Sequence, residues 1–172
     1  MAGATSFEDL IAWQRMHDLS IEIWKATARG PAASDFKFRD QIRDASDSAA
    51  RNVAEGFGRF HPGEFARFLS ISRASALETK SLLKKGFAVG YWDRQEYERL
   101  DRLADRGLQS VTKFQRYLRS PQAKHNAAQR NDRRRTSNVS NDPNDPNDPN
   151  DPNAPNAPND PNDPNAPGGP RG

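Results

Sequence analysis

Apolar and small residues recur along this chain at alternating spacings of three and four, in four separate runs. Leu10, Trp13, Met16, Leu19 (or Ser20), Ile23 and Thr27 make the first, which stops at Arg29-Gly30-Pro31. Phe38, Ile42, Ala45, Ala49, Val53, Gly56 and Phe60 make the second, stopped by His61-Pro62-Gly63. Phe65, Leu69, Ser72, Ala76, Thr79, Leu83 and Phe87 follow, up to Gly90, and then Tyr97, Leu100, Ala104, Leu108, Val111, Gln115 and Leu118, up to Ser120-Pro121. Each set lies on one face of a helix. Ser6 with Asp9, Ser34, Pro62, and Asp93 with Glu96 are the matching start signals. Short connections make successive helices antiparallel. The pattern predicts an all-α, up-down-up-down four-helix bundle with shallow crossing angles over residues 1–120.

Past Pro121 the periodicity stops. Residues 121–140 read as a basic polar linker containing Arg130, Arg133, Arg134 and Arg135. Nine Asn-x-Pro triplets then run from Asn141 to Pro167. Proline at every third position forbids a continuous helix, and nothing apolar offsets the entropy of ordering. The sequence therefore predicts a disordered C-terminal tail over 141–172, with polyproline-II character.

The second run has a distinctive make-up. Within Gln41 to Phe57, the stripe Ile42, Ala45, Ala49, Asn52 (or Val53) and Gly56 is, apart from Ile42, made of small residues, so a neighbouring helix can approach closely. A buried Asn needs a hydrogen-bond partner, and a mid-helix Gly56 costs roughly 1 kcal/mol relative to Ala unless a close approach requires it. Gln41 to Phe57 resembles the Q-I-R-R-A-A-x-S-I-x-x-N-I-A-E-G signature of the four helix bundle proteins, also called the 23S rRNA intervening-sequence protein family. Phe7-Glu-Asp-Leu10, Trp13-Gln14, Phe65, Phe68-Leu69, Ser75-Ala-Leu-Glu78 and Gly90-Tyr91 extend the likeness over roughly residues 6 to 119. Asp44 and Asp47 depart from it, standing where the family has Arg and a small or apolar residue. The resemblance implies four antiparallel helices assembled as a homopentamer, with Gln41, Asn52, Glu55, Gly56 and Glu78 as the assembly signature. A related branch, the accessory variability determinant of diversity-generating retroelements, binds nucleic acid and a reverse transcriptase.

Charge divides the chain unevenly. Residues 1–140 hold 25 Lys and Arg against 17 Asp and Glu, whereas 141–172 hold six Asp and one Arg. A basic body with an acidic tail points to polyanionic partners. Tethered beside the body, the Asp-rich tail is expected to compete with nucleic acid for it. The alternative role for the tail is a solubilising spacer.

Chemistry of other kinds finds little support. Without Cys there are no disulfides, no thiolate metal sites and no thiol nucleophile. His17, His61 and His125 stand at no ligand spacing, no Glu-x-x-His pair occurs, and neither a phosphate-cradling Gly-rich loop nor a nucleophile elbow is present. Register about the turn near residue 61 sets Glu55 level with Arg67 and Arg43 level with Thr79. Glu55 and Glu78 are then about three turns apart and cannot share a proton. The expectation is no catalytic residue, no metal and no cofactor. No apolar run approaches the roughly 20 residues needed to cross a bilayer, and no signal region opens the chain, so a cytoplasmic protein is expected.

Within helices two and three, Arg39, Arg43, Arg51, Arg59, Arg67 and Lys84 are candidate phosphate contacts, joined by Arg133, Arg134 and Arg135 of the linker. Tyr91 and Trp92 are either stacking platforms or bundle-end packing. Glu55 is expected to pair with Arg67 or Arg59, and Arg43 with Glu78. Two functions follow: an oligomer that binds RNA or another nucleic acid through repeated basic patches, or a scaffold for a protein partner such as a polymerase or nuclease.

Overall fold

A computed structural model describes residues 4–59, 61–126 and 128–129, all of the regular structure in them helical. Phe60, the Arg133 to Arg135 run and the Asn-x-Pro tail lie outside the described residues. Four long helices, α1 (Ile11–Ala26), α3 (Phe36–Phe57), α4 (Pro62–Ala88) and α5 (Arg94–Leu118), alternate in direction. Each packs on two neighbours, in the cyclic order α1, α3, α4, α5. A single turn, α2 (Pro31–Ser34), joins α1 to α3, and residues 121–126 are again helical. The up-down-up-down bundle predicted from the spacing is the fold.

Its core consists of the predicted stripes. Met16, Leu19 and Ile23 of α1 meet Ile42, Ala49 and Val53 of α3, Leu69, Ala76 and Leu83 of α4, and Leu100, Ala104 and Val111 of α5, all of them buried. Small residues on α3 bring α4 close enough for the buried Ser72 hydroxyl to donate to the Ala49 carbonyl at 2.7 Å. Ser48 and Ser75 meet at 3.0 Å one turn away. These two bonds fix the α3–α4 register expected from the sequence.

Three local details differ from the sequence reading. The Ser6–Asp9 capping box closes a short 3-10 turn, Phe7–Asp9, whereas α1 begins after Leu10 with no side-chain cap. Ser34 ends α2 instead of capping the second long helix; Asp35 caps α3 by accepting from the Phe38 amide at 3.1 Å. Asp93 caps α5 as predicted, but the Glu96 carboxylate turns to Arg99 in place of completing a box.

The far end of the bundle is closed by aromatics. Gly90, at φ 79°, reverses the chain after α4, so that Tyr91 and Trp92 fold back over Phe38. Trp92 is 6% exposed and donates from Nε1 to the Leu83 carbonyl. The Tyr91 hydroxyl donates to Asp35 at 2.6 Å, which lowers the Asp35 carboxyl and raises the Tyr91 phenol. These two aromatics pack the bundle end and are not a stacking platform.

Asp47, one of the two departures from the family pattern, ties α1 to α3. It accepts from the Ser20 hydroxyl and from Trp24 Nε1 at 3.1 Å. On the opposite edge of α1, Arg99 of α5 reaches Glu22 at 2.7 Å while also binding Glu96. Hydrogen bonds from Lys25 and then Arg99 hold the Glu22 carboxyl below the ordinary glutamate range, and Arg99 does the same for Glu96. With folded values depressed, the unfolded chain takes up protons first as pH falls. The stability from these groups is thus complete above the ordinary glutamate value of 4.5 and disappears as pH drops through the folded values. Thermal melting followed by circular dichroism should show a Tm that holds from pH 7 to about 5 and falls towards pH 3. Arg99→Met should shrink that fall; an acid loss identical to that of the unaltered protein would count against this network.

Candidate nucleic-acid interface

Most cations singled out on α3 are held by groups of the same chain. Arg39 pairs with Asp40 at 2.8 Å and lies over the Phe36 ring. Arg43 does not reach Glu78. It donates to Thr27 Oγ1 at 2.8 Å and its guanidinium stacks on the Trp24 ring at 4.0 Å, because α1 offers a carbonyl, a hydroxyl and an aromatic face on that side. Arg59 takes Glu55 at 2.9 Å, the i,i+4 choice, and Arg67 stands 3.9 Å from Glu64. Arg51 and Lys84 are exposed without an ion-pair partner among the described residues, and Gln41 and Glu78 are exposed as well.

The small-residue signature is satisfied within one chain. Asn52 is half-buried and donates to the Ser48 carbonyl at 2.8 Å and to its hydroxyl at 3.2 Å. Gly56 faces the Phe65 ring of α4 so closely that a Cβ would stand 2.4 Å from it.

Charge accumulates elsewhere, where two acid-free segments meet. Phe65 to Leu77 of α4 and Arg106 to Asn126, in α5 and beyond, hold no Asp or Glu. Gln115 donates to the Ala66 carbonyl at 2.9 Å, and Lys80 meets Asp101 at 3.2 Å. This register sets Arg67 level with Phe114, and Arg73 level with Leu108. Thr112, Gln115, Arg116, Arg119 and Ser120 line an open cleft of about 480 Å³. Arg73, Arg106, Lys113, Arg116 and Arg119 are exposed, and none forms an ion pair among the described residues. By contrast, in the first half of α5 Glu96 and Glu98 pair with arginines of the same helix, and Asp101 and Asp105 pair with Lys80 of α4. Favourable interaction with the helix C-terminus accounts for a cation only in the last turn, so it covers Arg116 but not Arg73, Arg106 or Lys113.

Counting cations on helices two and three missed this surface. The signal that finds it is the absence of acids from two segments that only the bundle topology places side by side. Chemically it offers several free guanidinium groups and a lysine beside hydroxyl and amide side chains, a set suited to phosphate oxygens. Among the described residues no group of three or more His, Asp or Glu side chains is placed to hold a metal ion, and no helix is long and apolar enough to cross a membrane.

A family model described as 23S rRNA-intervening sequence protein matches residues 8–113. Among solved structures, a protein of unknown function from the S23 ribosomal protein family of Bacteroides thetaiotaomicron is similar in fold, with a TM-score of 0.56 at 17% identity. That match covers 64% of this chain and 100% of the other. No curated protein matches significantly.

Proposed function

The chain belongs to the 23S rRNA-intervening sequence protein family, and from that premise we propose that it is a non-enzymatic nucleic-acid-binding protein that engages RNA through the α4–α5 basic surface. The acid-free run of exposed, unpaired cations carries this reading. Phosphate contacts strengthen with every charge neutralised and need no base readout. Arg51 and Lys84 offer further exposed cations on α3 and α4. Self-association would repeat the surface once per copy, five times in a pentamer. Exposed Ile71 (40%) and Leu77 (45%), flanking exposed Ala74 on α4, support a contact between copies.

Fluorescence anisotropy of the full-length protein with a structured RNA at about 50 and 200 mM salt tests the reading. Binding that weakens by one or more orders of magnitude over that range is expected. Absence of binding at the lower salt would end it and favour the scaffold for a protein partner. Light scattering on the same sample tests assembly, for which a monomer mass would be decisive against.

A further inference from the structure

Beside the basic cleft stands an aromatic ring that the bundle does not use up. Tyr117 lies in the last turn of α5 and is 47% exposed. Its ring is stacked on Phe114, with centroids 6.5 Å apart and planes 14° from parallel. Phe114 is itself anchored edge-on against Phe65 at 5.0 Å. Tyr117 is therefore backed by a fixed ring. The Asn126 amide lies 3.5 Å from its hydroxyl, and its carbonyl accepts from Ser120, a cleft residue, at 2.6 Å. Lys113 precedes it by one helical turn on the same side, and Arg116 adjoins it in sequence. Among the described residues, the other exposed Phe, Tyr and Trp side chains differ in setting: Trp24 is covered by Arg43, and Phe36 lies against Arg39.

We infer that the α5 end is a single-strand site: a base stacks on Tyr117 while the flanking phosphates follow Lys113, Arg116 and Arg119. The inference rests on the nucleic-acid reading above and narrows it. A base within a duplex has both faces stacked on its neighbours and cannot reach a side chain lying on a convex helix surface. An unpaired base can, and every base has a face to offer, so selectivity is for strandedness and not for sequence. The ring lies just beyond the segment matched by the family model, so the site is a property read from this chain's own residues.

The test is anisotropy of the full-length protein with a labelled oligouridine of about 12 nucleotides and with a duplex of equal length. The single strand should bind at least about tenfold more tightly than the duplex. Tyr117→Ala should weaken single-strand binding about 5- to 150-fold and leave the duplex unchanged. Tyr117→Phe should bind as the unaltered protein does. Tyr117→Leu, which still covers Phe114, should behave as the alanine variant. If Arg116→Ala/Arg119→Ala abolishes single-strand binding while Tyr117→Ala and Tyr117→Leu do not weaken it, the stacking inference falls and the charge reading stands. Equal weakening of single strand and duplex by Tyr117→Ala would also overturn it. If the unaltered protein binds neither RNA, the parent reading fails with it.

Discussion

Replacing Arg73, Lys113, Arg116 and Arg119 together by Ala should remove most of the protein's affinity for RNA at low salt and leave the bundle folded. All four side chains are exposed and unpaired, so truncation strands no buried charge. Arg116, in the last turn of α5, forfeits roughly 0.3–1 kcal/mol of helix-end attraction. For single-stranded RNA, each phosphate neutralised contributes about 0.7 to the slope of log K against log salt. Four contacts account for a slope of roughly 2.8, or about a 50-fold weakening between 50 and 200 mM salt, which the variant should lose. A matched removal of four paired charges, Lys25→Ala/Arg39→Ala/Arg59→Ala/Arg94→Ala, should change little, since Glu22, Asp40, Glu55 and Glu98 already neutralise those side chains. Comparable losses in both variants would mean that net charge, and not this surface, governs binding.

The two variants also separate what the sequence makes legible from what it hides. Helices and inward faces follow from periodicity, because burying a stripe leaves a three–four signature over many turns. The α3–α4 register follows too, since a short turn near residue 61 fixes which residues lie level. Partners of long side chains do not. Arg43 faces Glu78 when α3 and α4 alone are considered, but its groups come from Trp24 and the Thr27 cap of α1, across the other seam. Glu55 has two arginines in reach, and the one just past the end of α3 takes it. Ser34 and Asp35 are adjacent cap formers, and only the extra turn at Pro31 decides between them. The basic surface was hidden for a related reason: its halves are separated by the alternating charges of Glu78 to Asp105. Asp47 reads as a charge intruding at a small or apolar position of the pattern, yet its carboxylate serves Ser20 and Trp24.

Gly56→Ala should destabilise the protein by about 1–3 kcal/mol, whereas Gly58→Ala should be neutral or stabilising by up to about 1 kcal/mol. On helix propensity alone both substitutions gain, by roughly 1 kcal/mol at a mid-helix site. The difference lies in the room for a methyl group. At position 56 a Cβ would stand 2.4 and 2.8 Å from the Phe65 ring and 2.9 Å from the Phe68 Cβ. Phe65 cannot swing aside, because Phe57 and Phe114 both meet it edge-on. Relief must come from separating α3 and α4, which also loosens the Ser72 bond to the Ala49 carbonyl. At position 58 the nearest atom is the Glu55 carbonyl oxygen at 3.4 Å, and the backbone is right-handed helical. Urea denaturation of both variants at two protein concentrations measures the contrast. A loss in Gly56→Ala that does not vary with concentration belongs to the α3–α4 seam within one chain. A loss that deepens on dilution would instead assign Gly56 to a contact between copies, since only an interface carries that dependence.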